Sequence, residues 1–302
     1  MSSKVFVHEV GLRDGLQMEA TIIPTKKKLD WALQLIASGV DVIQLGSFVH
    51  PKKVPQMADT DDLFNQLAAL DHAEDITLSG LVLNEKGLER GLSCRVDLFC
   101  MGVSASETHS RKNTGMGVEE ALDRIITMAR EAVWEGRRVQ VLVQSAFGCG
   151  YEGAVPEAKV LGIVERYLDA GLTSISLADT AGRADPRSVQ RLFAAINSLG
   201  EDVQSACHFH NNFGLALANC WAALEAGVTW FESSFGGLGG CPFTAVPGGN
   251  TCTEDLVHMF QRLEIERKIK LSKLIDTVLD VSSFFARDLP GSVYRAGVPE
   301  PS

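Results

Sequence analysis

Short runs rich in β-branched and aromatic residues alternate with longer stretches of helical period along nearly the whole chain, and this alternation narrows the fold more than any other feature. Eight strand candidates can be counted, at residues 5–10, 42–46, 76–83, 96–101, 139–145, 174–178, 205–210 and 230–235. Helix candidates lie between them, among them residues 26–38, 119–134, 157–170, 187–198 and 215–226. Gly39, Gly136, Gly171 and Gly227 stand where several of these helices should end, and a residue without Cβ takes the left-handed terminating conformation at little cost.

Eight such units either close into a barrel or divide into two open, doubly wound halves. The open form needs a glycine-rich phosphate turn after its first strand, whereas this chain has Gly11-Leu12-Arg13-Asp14-Gly15 there, with charges where bare backbone is required. The expected fold is therefore a TIM (β/α)8 barrel, which occupies about 250 residues as one domain. On that reading residues 1–263 form the barrel, and residues 264–302 form a C-terminal helical extension packed on it, with a helix over 271–285.

Composition bounds the class of function. Apolar residues make up 45% and charged residues 22%, enough to build a large core. A formal charge of −10 with no Lys/Arg stripe opposes binding to nucleic acid. The seven cysteines show no paired spacing and do not read as a disulfide framework, which points to a reducing compartment. No apolar run reaches the ~18 residues that span a bilayer, and the N-terminus has no secretory pattern, so the expectation is a cytoplasmic protein without a membrane partner.

In barrels of this kind the reactive groups collect where strands end, because the βα loops converge there over a packed interior. Arg13 and Asp14 follow the first strand, Gln44 and Ser47 the second, Gln144 the fifth, Asp179 the sixth, and His208 and His210 the seventh. Residues two apart on a strand share a face, so His208 and His210 can share one ion, although His-x-His alone is equally compatible with two ordinary histidines. Barrel closure makes the first strand a neighbour of the last, so Asp14 can add a carboxylate; alone, it reads equally as a turn residue before Gly15. A carboxylate with two imidazoles suits Mg, Mn, Co or Zn, and not a thiolate-rich structural zinc. After the eighth strand, Gly236-Gly237-Leu238-Gly239-Gly240-Cys241-Pro242 has the composition of a lid, in which Cys241 is either a proton donor or acceptor or a plain loop residue.

Taken together, the motifs resemble those of the 3-hydroxy-3-methylglutaryl-CoA lyase family, part of a metal-dependent barrel superfamily that also holds the isopropylmalate, homocitrate and citramalate synthases. The resemblance covers nearly the whole barrel. It is carried by the run from Glu9 to Gln17, by Ser47-Phe48-Val49 with Val54-Pro55-Gln56-Met57, by Tyr151-Glu152-Gly153, by Ser176-Leu177-Ala178-Asp179-Thr180 and by the glycine loop with Cys241. It implies that Asp14, His208, His210 and Asn250 hold a divalent metal, with catalytic roles for Arg13, Asp179, Cys241 and His208. Substrate binding falls, by the same resemblance, to Gln17, Gln44, Ser47, Gln140 and Asn113. The implied reaction is a retro-Claisen cleavage of a 3-hydroxy-3-methylglutaryl-CoA-like thioester to acetyl-CoA and a 3-oxo acid, by an enzyme that forms a homodimer.

Several positions depart from the lyase pattern. Gln44 stands where the lyases have a glutamate, Gln140 where they have an arginine and Ala20 where they have a lysine, and Asn211 and Asn212 make the turn after His210 less acidic. The segment from Ser104 to Asn113 mixes lyase-like Lys112-Asn113 with a Thr108-His109 pair similar to the condensing synthases, and reads otherwise as a polar loop. Two other functions therefore stand beside the lyase: a condensing or aldol enzyme joining an acyl-CoA to a 2-oxo acid, and a non-catalytic binding barrel.

Overall fold

The computed structural model describes residues 4–70, 76–240, 249–265 and 268–297. Eight parallel strands close a barrel in chain order: β1 (Phe6–Glu9), β2 (Val42–Ser47), β3 (Thr77–Leu81), β4 (Leu98–Ser104), β5 (Arg138–Gln144), β6 (Ser174–Asp179), β7 (Gln204–Phe209) and β8 (Trp230–Ser233). Closure is made by β1 against β8, with His8 opposite Glu232 and Glu9 opposite Ser233. The expected TIM barrel is the observed fold.

The helices are α1 (Thr25–Ser38), α2 (Thr60–Ala68), α3 (Glu85–Leu92), α4 (Glu107–Thr114), α5 (Val118–Trp134), α6 (Glu157–Asp169), α7 (Pro186–Asn197), α8 (Ala216–Glu225), α9 (Thr253–Arg262), α10 (Leu271–Phe285) and α11 (Val293–Ala296). Each of the longer ones buries one apolar stripe against the barrel, as Trp31, Ala32 and Leu35 do in α1 and Val189, Leu192, Phe193 and Ile196 in α7. Gly39, which ends α1, has φ 87°. Asp185 begins α7 by accepting hydrogen bonds from the Arg187 and Ser188 N–H groups.

Every residue of β2 and β4 is buried, as expected for strands covered on both faces. The inside of the barrel is not uniformly apolar. Val42, Leu81, Leu98, Cys100 and Leu142 form one cluster within it. Next to these lie buried polar groups, with His8 Nε2 2.7 Å from Ser79 Oγ and the Ser176 hydroxyl donating to Glu232 at 2.6 Å.

Two expectations at the strand ends are corrected. The strand expected over 230–235 stops at Ser233, because Phe235–Gly237 turns as a single 3-10 coil with Gly236 at φ 61°. The polar segment after β4 is not a loop but carries α4, begun by Ser106, whose hydroxyl accepts the His109 N–H at 3.2 Å, and ended by Gly115 at φ 81°. Gly11–Gly15 forms a π turn, all of it buried, that carries Arg13 and Asp14 to the mouth of the barrel.

Among the described residues the six cysteines Cys94, Cys100, Cys149, Cys207, Cys220 and Cys252 are buried and unpaired, and no helix is long and apolar enough to cross a membrane. Beyond α9 the chain returns along α1. Asp280 of α10 accepts hydrogen bonds from Lys27 Nζ and from Trp31 Nε1 at 3.0 Å, and the Trp31 ring meets Phe284 edge-on at 5.4 Å. Truncation of the fully buried Trp31 leaves a cavity between these helices. Trp31→Ala is expected to cost about 3–5 kcal/mol in chemical denaturation, and a loss below about 1 kcal/mol would contradict this packing.

Candidate active site

A cavity of about 500 Å3 opens at the end of the barrel where the strands terminate. Its lining joins Arg13, Asp14, Gln17, His208 and His210 to apolar Leu81, Leu83, Leu142 and Ala178, with Lys53, His109, Asn113, Gln144 and Thr180 also contributing. This combination of mostly apolar surface with a few convergent polar groups is typical of small-molecule sites.

Asp14 is the hub. One carboxylate oxygen accepts from Arg13 Nη1 and, at 3.2 Å, from Gln17 Nε2; the other accepts from Asn250 Nδ2 at 2.8 Å. That second oxygen lies 3.8 Å from Nε2 of both His208 and His210, and the two Nε2 atoms are 3.1 Å apart. Asp14, His208 and His210 thus offer donor atoms that all lie within 4.8 Å of one another. Donors bound at about 2.1 Å to one ion are separated by roughly 3 to 3.5 Å, so the set fits a divalent cation after little adjustment.

Asn250 agrees with that fit. Its Oδ1 is a buried polar atom without a hydrogen-bond partner among the described residues. Asn250 is also tied to the site by backbone, since it forms an antiparallel bridge with His210. Its amide nitrogen donates to Asp14 at 2.8 Å and to the Leu238 carbonyl at 3.0 Å.

The neighbouring groups keep the Asp14 carboxyl ionised. Burial would raise the Asp14 carboxyl, but the Arg13 guanidinium and the two imidazoles hold it well below the ordinary carboxylate range. Burial would lower His208, yet its bond to Glu232 and the nearby Asp14 raise it. His8 is the counterexample: burial takes it down to about 4, against the pull of Glu232.

Other anticipated residues fall in different places. Gln44 accepts a hydrogen bond from Arg13 Nε. Ser47 is buried, and its carbonyl accepts the Thr60 hydroxyl at 3.1 Å. Gln140 lies below the cavity beside Cys100, with Sγ to Oε1 at 3.8 Å. Neither Ser47 nor Gln140 lines the cavity. Asp179 is buried with both oxygens committed to loop backbone, at 2.7 Å to Arg183 N and 3.0 Å to Ala184 N, and burial raises its carboxyl despite these bonds. Cys241 lies outside the described residues. Sequence reasoning passed over Lys53 as a lining residue and gave Glu232 no role at all. Lys53 falls between the two motif runs 47–49 and 54–57 and immediately precedes the second; an acidic residue inside Trp230-Phe231-Glu232-Ser233 carried no signal that it points inward.

The entrance to the glycine loop is held by two more buried carboxyl groups. Glu9 accepts from Gly11 N at 2.7 Å, Phe235 N at 3.0 Å and the Thr253 hydroxyl at 2.5 Å, and Glu254 accepts from Gly236 N at 3.0 Å. Burial pushes Glu9 up to about 7 and Glu254 up to about 8, from an ordinary 4.5.

Fold and site together define a barrel enzyme with a carboxylate and two imidazoles converging at the mouth in a metal-binding arrangement. The profile of the HMGL-like family matches residues 4–281. The hydroxymethylglutaryl-CoA lyase of Bacillus subtilis is 37% identical over 287 residues, 95% of each chain, and the (R)-citramalyl-CoA lyase of Chloroflexus aurantiacus is 34% identical over 300 residues, 97% of this chain and 95% of that one. The solved HMG-CoA lyase of Acinetobacter baumannii, in complex with coenzyme A and 3-methylmalate, superposes with a TM-score of 0.92 at 36% identity, covering 100% of this chain and 99% of that one. The chain belongs to the HMGL-like family and is a carbon–carbon lyase.

Because Glu9 and Glu254 hold their protons more tightly when folded, their contribution to stability is full below about pH 4.5 and is lost as pH rises through 7 to 8. Melting temperatures measured from pH 5 to 9 should fall across that window, and Glu254→Gln should flatten the decline. An unchanged slope in the variant would refute the assignment to Glu254.

Proposed function

We propose that this protein cleaves a 3-hydroxy-3-methylglutaryl-CoA-like thioester to acetyl-CoA and a 3-oxo acid, with the chemistry centred on Asp14, His208, His210 and Asn250. The observation that carries this reading is the convergence of the Asp14, His208 and His210 donor atoms within 4.8 Å, at the mouth of a barrel whose relatives are hydroxymethylglutaryl-CoA lyases. A divalent ion (Mg, Mn, Co or Zn) held by these residues would supply Lewis-acid polarisation of the substrate hydroxyl.

The remaining roles follow from position and charge. Breaking the carbon–carbon bond requires loss of the hydroxyl proton and leaves negative charge on the thioester enolate. Arg13, which lines the cavity and is held on two sides by Asp14 and Gln44, faces that charge without having to reorganise. Asp179 is assigned to the proton transfers by the resemblance and by its position at the end of β6, where the Arg183 and Ala184 N–H groups fix its carboxyl group. Cys241, on the glycine loop, protonates the enolate. Gln17 and Asn113 bind substrate from the cavity wall; Gln44, Ser47 and Gln140 act from behind it.

The acyl-CoA thioester is the proposed partner, and a coenzyme A-bound relative of 36% identity supports it. Residues 1–263 are taken as the catalytic barrel and 264–302 as its extension. Dimerisation belongs to the same reading, with the exposed Leu279 and Phe284 of α10 offering apolar surface for it. The cytoplasm is the proposed location, supported by the free cysteines and the bacterial relative.

A second reading is favoured by the neutral Gln44 on Arg13 together with the 34% identity to a citramalyl-CoA lyase: cleavage to acetyl-CoA and a 2-oxo acid. Each thioester, supplied to the purified enzyme, distinguishes the two by the acid released beside acetyl-CoA.

Chelation of divalent metal should lower kcat by at least about 10³, since a Lewis acid contributes several kcal/mol and each 1.36 kcal/mol is tenfold. His208→Ala should reproduce that loss in metal-replete buffer. Full turnover of either thioester after exhaustive chelation would end the metal-dependent reading.

A further inference from the structure

We infer that Glu232 is the positioning residue that sets the ligating tautomer of His208. This rests on the metal-centred reading above but makes a claim about the metal-free protein as well. Glu232 and His208 are direct partners in the register of β8 and β7, both are buried, and His208 Nδ1 lies 3.0 Å from Glu232 Oε2. A carboxylate only accepts, so the contact places the imidazole hydrogen on Nδ1. Nε2 is then left with its lone pair toward Asp14 at 3.8 Å and His210 at 3.1 Å, where a cation would sit.

The carboxylate is itself fixed. Its other oxygen, Oε1, accepts the Ser176 hydroxyl from β6 at 2.6 Å, so the relay runs Ser176, Glu232, His208 across three adjacent strands. His8, which faces Glu232 from β1, has its Nε2 committed to Ser79 at 2.7 Å and does not take the carboxylate away from His208. With the hydrogen on Nε2 instead, His208 would point a donor at the ion position, and the pair of imidazoles could not both ligate.

Three variants separate orientation from charge. Glu232→Gln keeps the shape and can still accept from Nδ1–H, Glu232→Ala removes the acceptor, and Ser176→Ala frees only the far oxygen. Mn2+ binding, measured by electron paramagnetic resonance on the folded proteins, is expected to weaken roughly 10- to 100-fold in Glu232→Ala. It should weaken less in Ser176→Ala and in Glu232→Gln. Imidazole 15N spectra of the metal-free protein at alkaline pH should show the Nδ1–H form of His208 in the parent and in Glu232→Gln, and a shift toward Nε2–H in Glu232→Ala. The spectrum decides the inference even if the parent binds no Mn2+, an outcome that would instead defeat the metal-centred reading. A parent spectrum in the Nε2–H form, or a folded Glu232→Ala with the parent's tautomer and Mn2+ affinity, overturns the inference.

Discussion

The pairing of β1 with β8 is the contact on which the site depends. Asp14 and the two imidazoles are separated by almost the full length of the barrel in sequence, and they meet only because the sheet closes in register, with Phe6 opposite Trp230 and Glu9 opposite Ser233. The same seam carries the ring stack of Phe6 on Trp230, with centroids 4.7 Å apart. Apolar burial around the outside of the barrel thus supplies the free energy that holds a costly group of charges together at its mouth.

Those charges are compensated in layers. Asp14 is matched by Arg13 and by the imidazoles, His208 by Glu232, and Glu232 by Ser176. A cluster of this kind loses most when one member is removed, because the partner left behind is buried without an alternative. Beside the same seam, Glu9 bridges the π turn after β1, the 3-10 turn after β8 and Thr253 at the start of α9. The segment that bears Arg13 and Asp14 and the segment that leads into the glycine loop are therefore tied to one side chain.

Much of the fold was legible because its signals are local. Parallel strands covered on both faces read as short apolar runs, and glycines at 39, 136, 171 and 227 have the positive φ that was expected of helix ends. The helix α4 was not legible, since it is polar throughout and its evidence is a cap at Ser106, not a stripe. In the site, Asp14, His208 and His210 could be paired because strand-end position and barrel closure are properties of the sequence pattern. Glu232 was invisible for the opposite reason: its meaning comes from the residue beside it on the next strand, and nothing within β8 alone reveals that neighbour. Gln140 lies on the same strand face as cavity-lining Leu142 and Gln144 but two residues before Leu142, opposite Cys100, a depth that a motif match does not convey.

The departures from the lyase pattern can be weighed by where they fall. Gln140 sits beneath the cavity and meets a thiol, so the amide there changes the interior of the barrel more directly than the surface a substrate touches. Gln44 is different. It presents an amide oxygen to Arg13 Nε and keeps the guanidinium oriented, but it lacks the charge that a carboxylate would place there. Arg13 then has Asp14 as its sole anionic partner among the described residues, and that carboxylate is shared with the imidazoles and with the amides of Gln17 and Asn250. The guanidinium therefore reaches the cavity between one carboxylate and one neutral amide.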